Sequence, residues 1–379
     1  MKITNVSCRP LHVKEKYRYQ APSWLGNTII ANPMSIYPKY YEKRSSWTAP
    51  FPGMVVTVDT DEGIQGISVA DGGMAIQSII EDHLSKLLIG EDPFNIELLW
   101  DQMFRASMPY GRKGIVMFAI SGVDSALWDI MGKALNQPVY RLLGGATKED
   151  MPVYETTNDR IDWADDSFFG VKLAMPFGPA DGREGILKNR ELVKECREKI
   201  GKNRDIMLDC YMAWDVEFTF RMIDAVEPFE VRWIEEALPP DNIHGYEKLA
   251  QYTGPIAFAT GEHEYTRWGH RDLIDTGALS ILQPDIHWVG GITEARRISA
   301  MASAWGLIVV PHGGGLQAEG LHFIKSQVNC PFVEWVRTWD RDKGRPQQAI
   351  LGIPDPENGR IRPSDNPGLG IKMNEEVLE

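Results

Sequence analysis

The feature that most constrains this chain is an alternation that begins after residue 150. Short β-rich runs recur at 151–157 (MPVYETT), 169–174 (FGVKLA), 204–210 (RDIMLDC), 231–236 (VRWIEE), 256–262 (IAFATGE), 280–285 (SILQPD), 307–312 (LIVVPH) and 332–336 (FVEWV). Longer helical stretches separate them. In 183–200, Ile186, Leu187, Leu192, Val193, Cys196 and Ile200 keep one apolar face, and Gly201 reads as the C-terminal cap. Strands alternating with helices specify an α/β chain, and eight alternations point to a (β/α)8 barrel. An open doubly wound sheet would carry a Gly-rich phosphate loop after its first strand, whereas Thr156-Thr157-Asn158-Asp159 contains no glycine. The barrel is the better reading, over residues 146–350.

The first 145 residues have a different texture. Apolar and polar side chains alternate over 2–13 (Ile3, Val6, Cys8, Leu11, Val13), and the runs 54–60 and 64–69 flank an Asp-Glu-Gly turn, a hairpin signal. Helical patterns follow at about 73–88, 93–107 and 112–134, the last with a broad apolar face from Val116 to Met131. Strands first and helices after is an α+β signature. Between them, residues 14–52 have no clean period but carry Tyr17, Tyr19, Trp24, Tyr37, Tyr40, Tyr41 and Trp47. A long loop so rich in aromatics reads as a lid that packs over something.

Composition closes off other classes. With 53 acidic and 40 basic residues the net charge is −13, which argues against nucleic acid or an anionic membrane as the main partner. Cys8, Cys196, Cys210 and Cys330 show no paired spacing, which fits a reduced, cytoplasmic setting and argues against a zinc site or a disulfide framework. The start Met1-Lys2-Ile3-Thr4 lacks the pattern of a signal peptide, and no unbroken apolar run suggests a membrane span.

In a barrel of this kind the chemistry sits at the C-terminal ends of the strands. Those positions read Lys172, Asp209, Glu235, Glu262, Asp285, His312 and Glu334. The third to fifth strands each end in a carboxylate, at spacings of 26 (235 − 209) and 27 (262 − 235) residues, one βα unit apiece. Neighbouring strands lie about 4.8 Å apart, so the three acids converge. Together they would repel one another unless a cation lay among them, and hard oxygen donors favour Mg2+. Ordinary salt-bridged strand ends would explain one such acid far better than three in succession. Glu236 is an alternative to Glu235, but strand alternation points it to the opposite face. Asp285 and His312 end the next two strands, an arrangement that orients an imidazole and raises its basicity for proton transfer. Glu334 could donate to a developing oxyanion if protonated, or orient a partner. His263, directly after Glu262, could face substrate, and His287 could lie above the site.

These residues together resemble the enolase superfamily, in its mandelate racemase-like branch. Asp209, Glu235 and Glu262 match its metal ligands, and Asp285 with His312 matches its His–Asp dyad. The stretch Ser121-Gly122-Val123-Asp124-Ser125-Ala126-Leu127-Trp128-Asp129, with Leu142-Leu143-Gly144-Gly145, resembles the junction between capping domain and barrel. The resemblance implies a modified TIM barrel, (β/α)7β, whose last residues, 351–379, return to an α+β capping domain. It also implies a homo-oligomer acting on a small-molecule acid. Within the branch, Asn32-Pro33-Met34-Ser35, Trp233 to Pro240, Gly261-Glu262-His263, Gln283-Pro284-Asp285 and Val310-Pro311-His312-Gly313 are most similar to the rhamnonate dehydratases. That family implies a sugar-acid substrate.

Many relatives carry Lys-x-Lys at the second strand, whereas here the motif reads Lys172-Leu173-Ala174. Loss of the second base favours dehydration over racemisation or cycloisomerisation. Intact ligands and dyad argue against a non-catalytic sensor. In the long loop Ser23-Trp24 stands where the family has His-Trp, and Arg44 stands at a loop arginine position; the resemblance implies that this loop selects the distal part of the substrate. That departure leaves L-rhamnonate, L-lyxonate and L-mannonate all open as substrates.

Overall fold

The computed structural model describes residues 1–12, 14, 30–40, 52–157, 161, 164–336 and 349–378. Ser23, Trp24, Arg44 and most of the proposed lid lie outside the described residues. The N-terminal sheet has the order β1 (Ile3–Pro10), β2 (Met54–Thr60), β3 (Gln65–Ala70), antiparallel throughout. Thr60 closes the hairpin: its hydroxyl donates to Ile64 O at 2.8 Å and accepts from Ile64 N at 3.1 Å. The helical layer comprises α1 (Met74–Ser78), a π-helical turn (Ile79–Leu84), α2 (Ser85–Leu88), α3 (Ile96–Ser107), α4 (Ile115–Ala134) and α5 (Val139–Leu142). Helix α4 lies so close to β3 that a Cβ on Gly66 would meet the Ala126 carbonyl oxygen at 2.1 Å. Alone among the described helices, α4 is long and apolar enough to cross a bilayer, and 83% of its most apolar window is buried inside the protein. Its hydropathy is that of a core helix.

After α5 the chain winds eight parallel strands. They are β4 (Met151–Thr156), β5 (Gly170–Ala174), β6 (Asp205–Asp209), β7 (Val231–Glu235), β8 (Ala257–Thr260), β9 (Ile281–Leu282), β10 (Ile308–Val309) and β11 (Val333–Val336). The hydrogen-bonded order is β10-β9-β8-β7-β6-β5-β4-β11. The linking helices are α6 (Gly182–Ile200), α7 (Val216–Val226), α8 (Ile243–Leu249), α9 (Thr266–Asp275), α10 (Gly291–Ala304) and α11 (Ala318–Ser326). Among the described residues, then, six helices join the strands, fewer than the alternation alone suggests. The β4–β5 connection is short and has no α-helix among its described residues.

Inward side chains close the curl. Tyr154, Phe169, Met207, Trp233, Ala259, Ile281, Val310 and Phe332 come from all eight strands or their immediate flanks and form one apolar cluster. Trp233 stacks on Phe332 with ring centroids 6.0 Å apart, and both buried rings are met edge-on by Tyr154. Such a layer makes the barrel a packed core and not a pore.

The two parts dock through α4 and α10. Ser121 Oγ accepts from Gly290 N at 2.9 Å, Asp124 Oδ2 accepts from Thr293 N at 3.0 Å, and Trp128 Nε1 donates to Thr293 Oγ1 at 2.9 Å. Asp124 thus serves the free amides at the start of α10, although burial pushes its carboxyl up to about 7. Five residues on, Asp129 takes the other side, accepting from Ile67 N at 2.9 Å and Leu369 N at 2.8 Å. Leu369 belongs to the C-terminal segment, which also meets α5 where Val139 N donates to Gly368 O at 2.9 Å and Tyr140 Oη donates to Asp365 at 2.7 Å. Three short strands complete that segment. Of these, β12 (Ile350–Leu351) pairs with β14 (Lys372–Met373), and β13 (Arg360–Ile361) runs antiparallel on β4.

Candidate active site

Successive residues of a strand alternate faces, so on most of the strands the position two residues above the apolar ring member also points inward. Read that way, Tyr154 leads to Thr156, Met207 to Asp209, Trp233 to Glu235, Ile281 to Gln283, Val310 to His312 and Phe332 to Glu334. Lys172 of β5 joins them, and a polar layer therefore caps the apolar one. Lys172 Nζ bonds Glu235 and lies 2.7 Å from Glu334 Oε1. Burial works to lower this ammonium, but the Glu235 and Glu334 carboxylates outweigh it and hold Lys172 well above its ordinary value. Glu334 also accepts from Thr156 Oγ1 at 2.5 Å and Gly313 N at 2.8 Å. Burial would raise its carboxyl, yet Lys172 and His312 bring it down to about 2. These contacts favour the ionised form of Glu334 and place its carboxylate to orient Lys172.

Beside this pair lie the remaining acids. Asp209 and Glu235 are register partners across β6 and β7, and Glu235 accepts from Gln283 Nε2 at 2.6 Å and Trp233 Nε1 at 3.2 Å. Glu262 follows β8 after Gly261, whose φ of 125° is open only to glycine. Burial raises Asp209, Glu235 and Glu262 each to about 7, and mutual repulsion adds to it: Glu262 and Glu236 act on Asp209, Asp209 on Glu235, and Glu236 on Glu262. Glu236 departs from the sequence expectation. Its left-handed backbone (φ 44°) breaks strand alternation and swings the carboxylate toward His263, whose Nδ1 lies 2.8 Å away. Burial opposes ionisation of Glu236, but His263 and His312 lower it, while Glu236 and Glu262 lift His263 to about 9 against its own burial. Among the described residues, Glu236, Glu262 and His263 are the group whose ligand-type atoms all lie within 4.8 Å of one another.

The dyad is formed. His312 Nδ1 lies 2.7 Å from Asp285 Oδ2, and its Nε2 faces Glu262 Oε1 at 3.4 Å. Asp285 is itself held by His287 N at 2.7 Å and by Gln317 Nε2 at 3.2 Å to both oxygens. Burial would lower the imidazole, but Glu262, Asp285 and Glu334 hold it well above its ordinary value. Trp288 lies against this ring with centroids 5.2 Å apart.

Comparison with known proteins gives this geometry a family. The mandelate racemase/muconate lactonizing enzyme N-terminal domain matches residues 29–144, and the enolase C-terminal domain-like family matches residues 162–377, more than half of the chain. The chain belongs to the enolase superfamily. Among its relatives, this superfamily member is 42% identical over 354 residues to a protein of Caldivirga maquilingensis provisionally named an L-rhamnonate dehydratase, covering 92% of this chain and 88% of that one. It is 39% identical over 373 residues to L-rhamnonate dehydratase of Saccharopolyspora erythraea, covering 95% and 93%. A crystal structure of rhamnonate dehydratase from Gibberella zeae complexed with Mg superposes with a TM-score of 0.91 at 36% identity, covering 99% of this chain and 94% of that one.

Within this enolase-superfamily site, Lys172, Asp209, Glu235, Glu262, His263, Asp285, His312 and Glu334 all gather at one end of the barrel, as strand-end reasoning expects. His287 is buried, with Nε2 3.4 Å from Glu319 Oε2 and Nδ1 3.9 Å from Asp71 Oδ2. Sequence reasoning missed Thr156, Gln283, Gln317 and Trp288. The first two were findable, since they stand two residues above ring members on the same strand face. Gln317 and Trp288 lie on loops, where no period marks them.

Proposed function

We propose that the protein is a Mg2+-dependent hydro-lyase that dehydrates a sugar acid to a 2-keto-3-deoxy acid. The observation that carries this reading is the Asp285–His312 dyad facing a cluster of buried carboxylates, with Ala174 where a second base would stand. The donor set fits the ion. Asp209, Glu235 and Glu262 are hard oxygen donors that repel along the series even with Lys172 bonded to Glu235, whereas Glu236 is paired with His263. Asp209, Glu235 and Glu262 would therefore hold the metal. Bound there, Mg2+ supplies positive charge to the carboxylate cluster and Lewis acidity toward the substrate carboxyl group.

The chain's own residues do the rest. Asp285 fixes the His312 tautomer, leaving Nε2 to take the proton α to the carboxyl group. His312 must be neutral to do so, which requires that the charge of Glu262, its strongest stabiliser as an imidazolium, be balanced elsewhere. Lys172, immobilised between Glu235 and Glu334, sets a permanent positive charge where negative charge develops on the substrate. Protonated His312 then gives its proton to the departing 3-hydroxyl, a syn elimination using one residue twice. A His base with Mg2+ is the general pattern of enolase-type sites and not a feature peculiar to this chain.

The rhamnonate dehydratase relatives make L-rhamnonate the first substrate to try, with L-mannonate and L-lyxonate next. Ser23, Trp24, Arg44 and His263 are the proposed contacts to the distal hydroxyls. The same reading carries a homo-oligomeric, cytoplasmic enzyme and a division of the chain near residues 145 and 350. A library of acid sugars assayed for 2-keto acid formation, with Mg2+ and with chelator, tests the function. Deuterium uptake at Cα without loss of water would instead indicate racemisation, and no turnover of any acid sugar would end the proposal.

A further inference from the structure

Trp288 stands at a junction the mechanism above does not use. It follows β9 by six residues, in the loop that also supplies Asp285. Its ring meets His312 with centroids 5.2 Å apart and His263 with centroids 5.5 Å apart, and so lies against both imidazoles of the site. The N-terminal part of the molecule holds the same ring. Its indole Nε1 donates to Asp71 Oδ2 at 2.9 Å, just past β3, and Phe118 of α4 stacks on it at 5.5 Å and 20°. Through these contacts the hairpin and α4 reach the ring that meets His312. Asp285 and Glu262 lie at the two nitrogens of His312, whereas Trp288 meets the ring itself.

We infer that Trp288 is a positioning residue, held by Asp71 and Phe118, that sets the tilt of the His312 ring so that the docking of the N-terminal domain governs proton transfer. This rests on His312 being the base of the proposed reaction. An imidazole that serves twice must keep Nε2 aimed first at the Cα proton and then at the 3-hydroxyl. A misplacement of about 1 Å is enough to slow such chemistry on the order of a hundred-fold. Asp71 is half-exposed, with a side chain 49% accessible, but its Oδ2 also lies 3.9 Å from Nδ1 of the buried His287, so a variant that keeps the oxygen and drops the charge is the needed control.

The variants separate hydrogen bonding from bulk and charge. Asp71→Ala removes the acceptor, Asp71→Asn keeps an oxygen that accepts from the indole, and Trp288→Phe keeps a ring without the donor. Asp71→Ala is expected to lower kcat about ten-fold with KM within about two-fold, and Asp71→Asn to recover most of that loss, since only orientation changes. The double variant Asp71→Ala/Trp288→Phe should be no slower than Trp288→Phe alone, because the two residues act along one line. Full activity in Asp71→Ala, equal losses in Asp71→Ala and Asp71→Asn, or additive losses in the double variant would each overturn the inference. A substrate-free arm keeps this test apart from that of the overall function. In Mg2+-loaded protein the indole N–H resonance that Trp288→Phe deletes should exchange slowly. Asp71→Ala should make it fast and move the His312 ring resonances. Unmoved His312 resonances overturn the inference whatever reaction the enzyme performs, and absence of sugar-acid turnover in the wild type counts against the functional proposal alone.

Discussion

Two layers of the barrel interior, two residues apart on most of the strands, do opposite work. The lower is a ring of apolar side chains, with Tyr154, Trp233 and Phe332 packed edge and face. The upper holds Thr156, Lys172, Asp209, Glu235, Gln283, His312 and Glu334. The lower layer gains from burial of apolar surface, with the Arg232 guanidinium against the Phe332 ring at 4.7 Å. The upper layer is mostly buried too, with Asp209 and His312 partly open, and its buried charges are paired, as Lys172 is with Glu235 and Glu334. Stability and chemistry therefore separate along each strand, and substitutions should divide the same way.

The largest expected effect is in the upper layer. His312→Asn should lower kcat by at least about a thousand-fold, since one residue performs both proton transfers, with melting temperature and Mg2+ binding close to wild type. A variant retaining substantial turnover breaks the assignment of the base. In the lower layer, Trp233→Ala should cost about 3–5 kcal/mol in denaturant unfolding through the cavity it leaves. A loss below about 1 kcal/mol would show that the ring is not the packed core described here. Removal of Mg2+ should abolish turnover reversibly. At a hundred times its Kd the ion should stabilise the fold by about 2.7 kcal/mol, read as a concentration-dependent rise in melting temperature.

A smaller effect tests a charged pair outside both layers. Burial would lower His287, but Glu319 outweighs it and raises the imidazole to about 9. The folded protein then binds this proton more tightly than the unfolded chain. Its contribution is complete below about pH 6.5 and is lost as pH rises through about 9. Glu319→Gln should therefore cost about 1–3 kcal/mol at pH 6 and almost nothing at pH 9.5. An equal cost at both values would show that the pair is held by packing and not by charge.

Much of this site was legible without coordinates, for a reason that holds element by element. Strand ends recur at one βα unit, so Asp209, Glu235 and Glu262 announce themselves by spacing, and Asp285 and His312 by ending the next two strands. Glu236 was misplaced because alternation is a rule for extended backbone, and its φ of 44° leaves that region. Gln317, Asp71 and Trp288 were missed because loops have no period. The helix count came out high because the first strand and the second are joined without an α-helix among the described residues.

Local pattern, then, determined the element order, the inward face of each strand and the positions where acids and histidines end it, since those follow from repeats of two and of one βα unit. Tertiary structure alone decided which charges compensate one another. Whether Glu334 is a donor or an ionised orienter depends on Lys172, 162 positions away (334 − 172), coming within 2.7 Å in a buried site. Whether Asp124 is a surface acid or the cap of α10 depends on Thr293, brought to 3.0 Å by domain docking. Electrostatic roles are set by distance and burial, and neither is a property of a residue's neighbours in sequence.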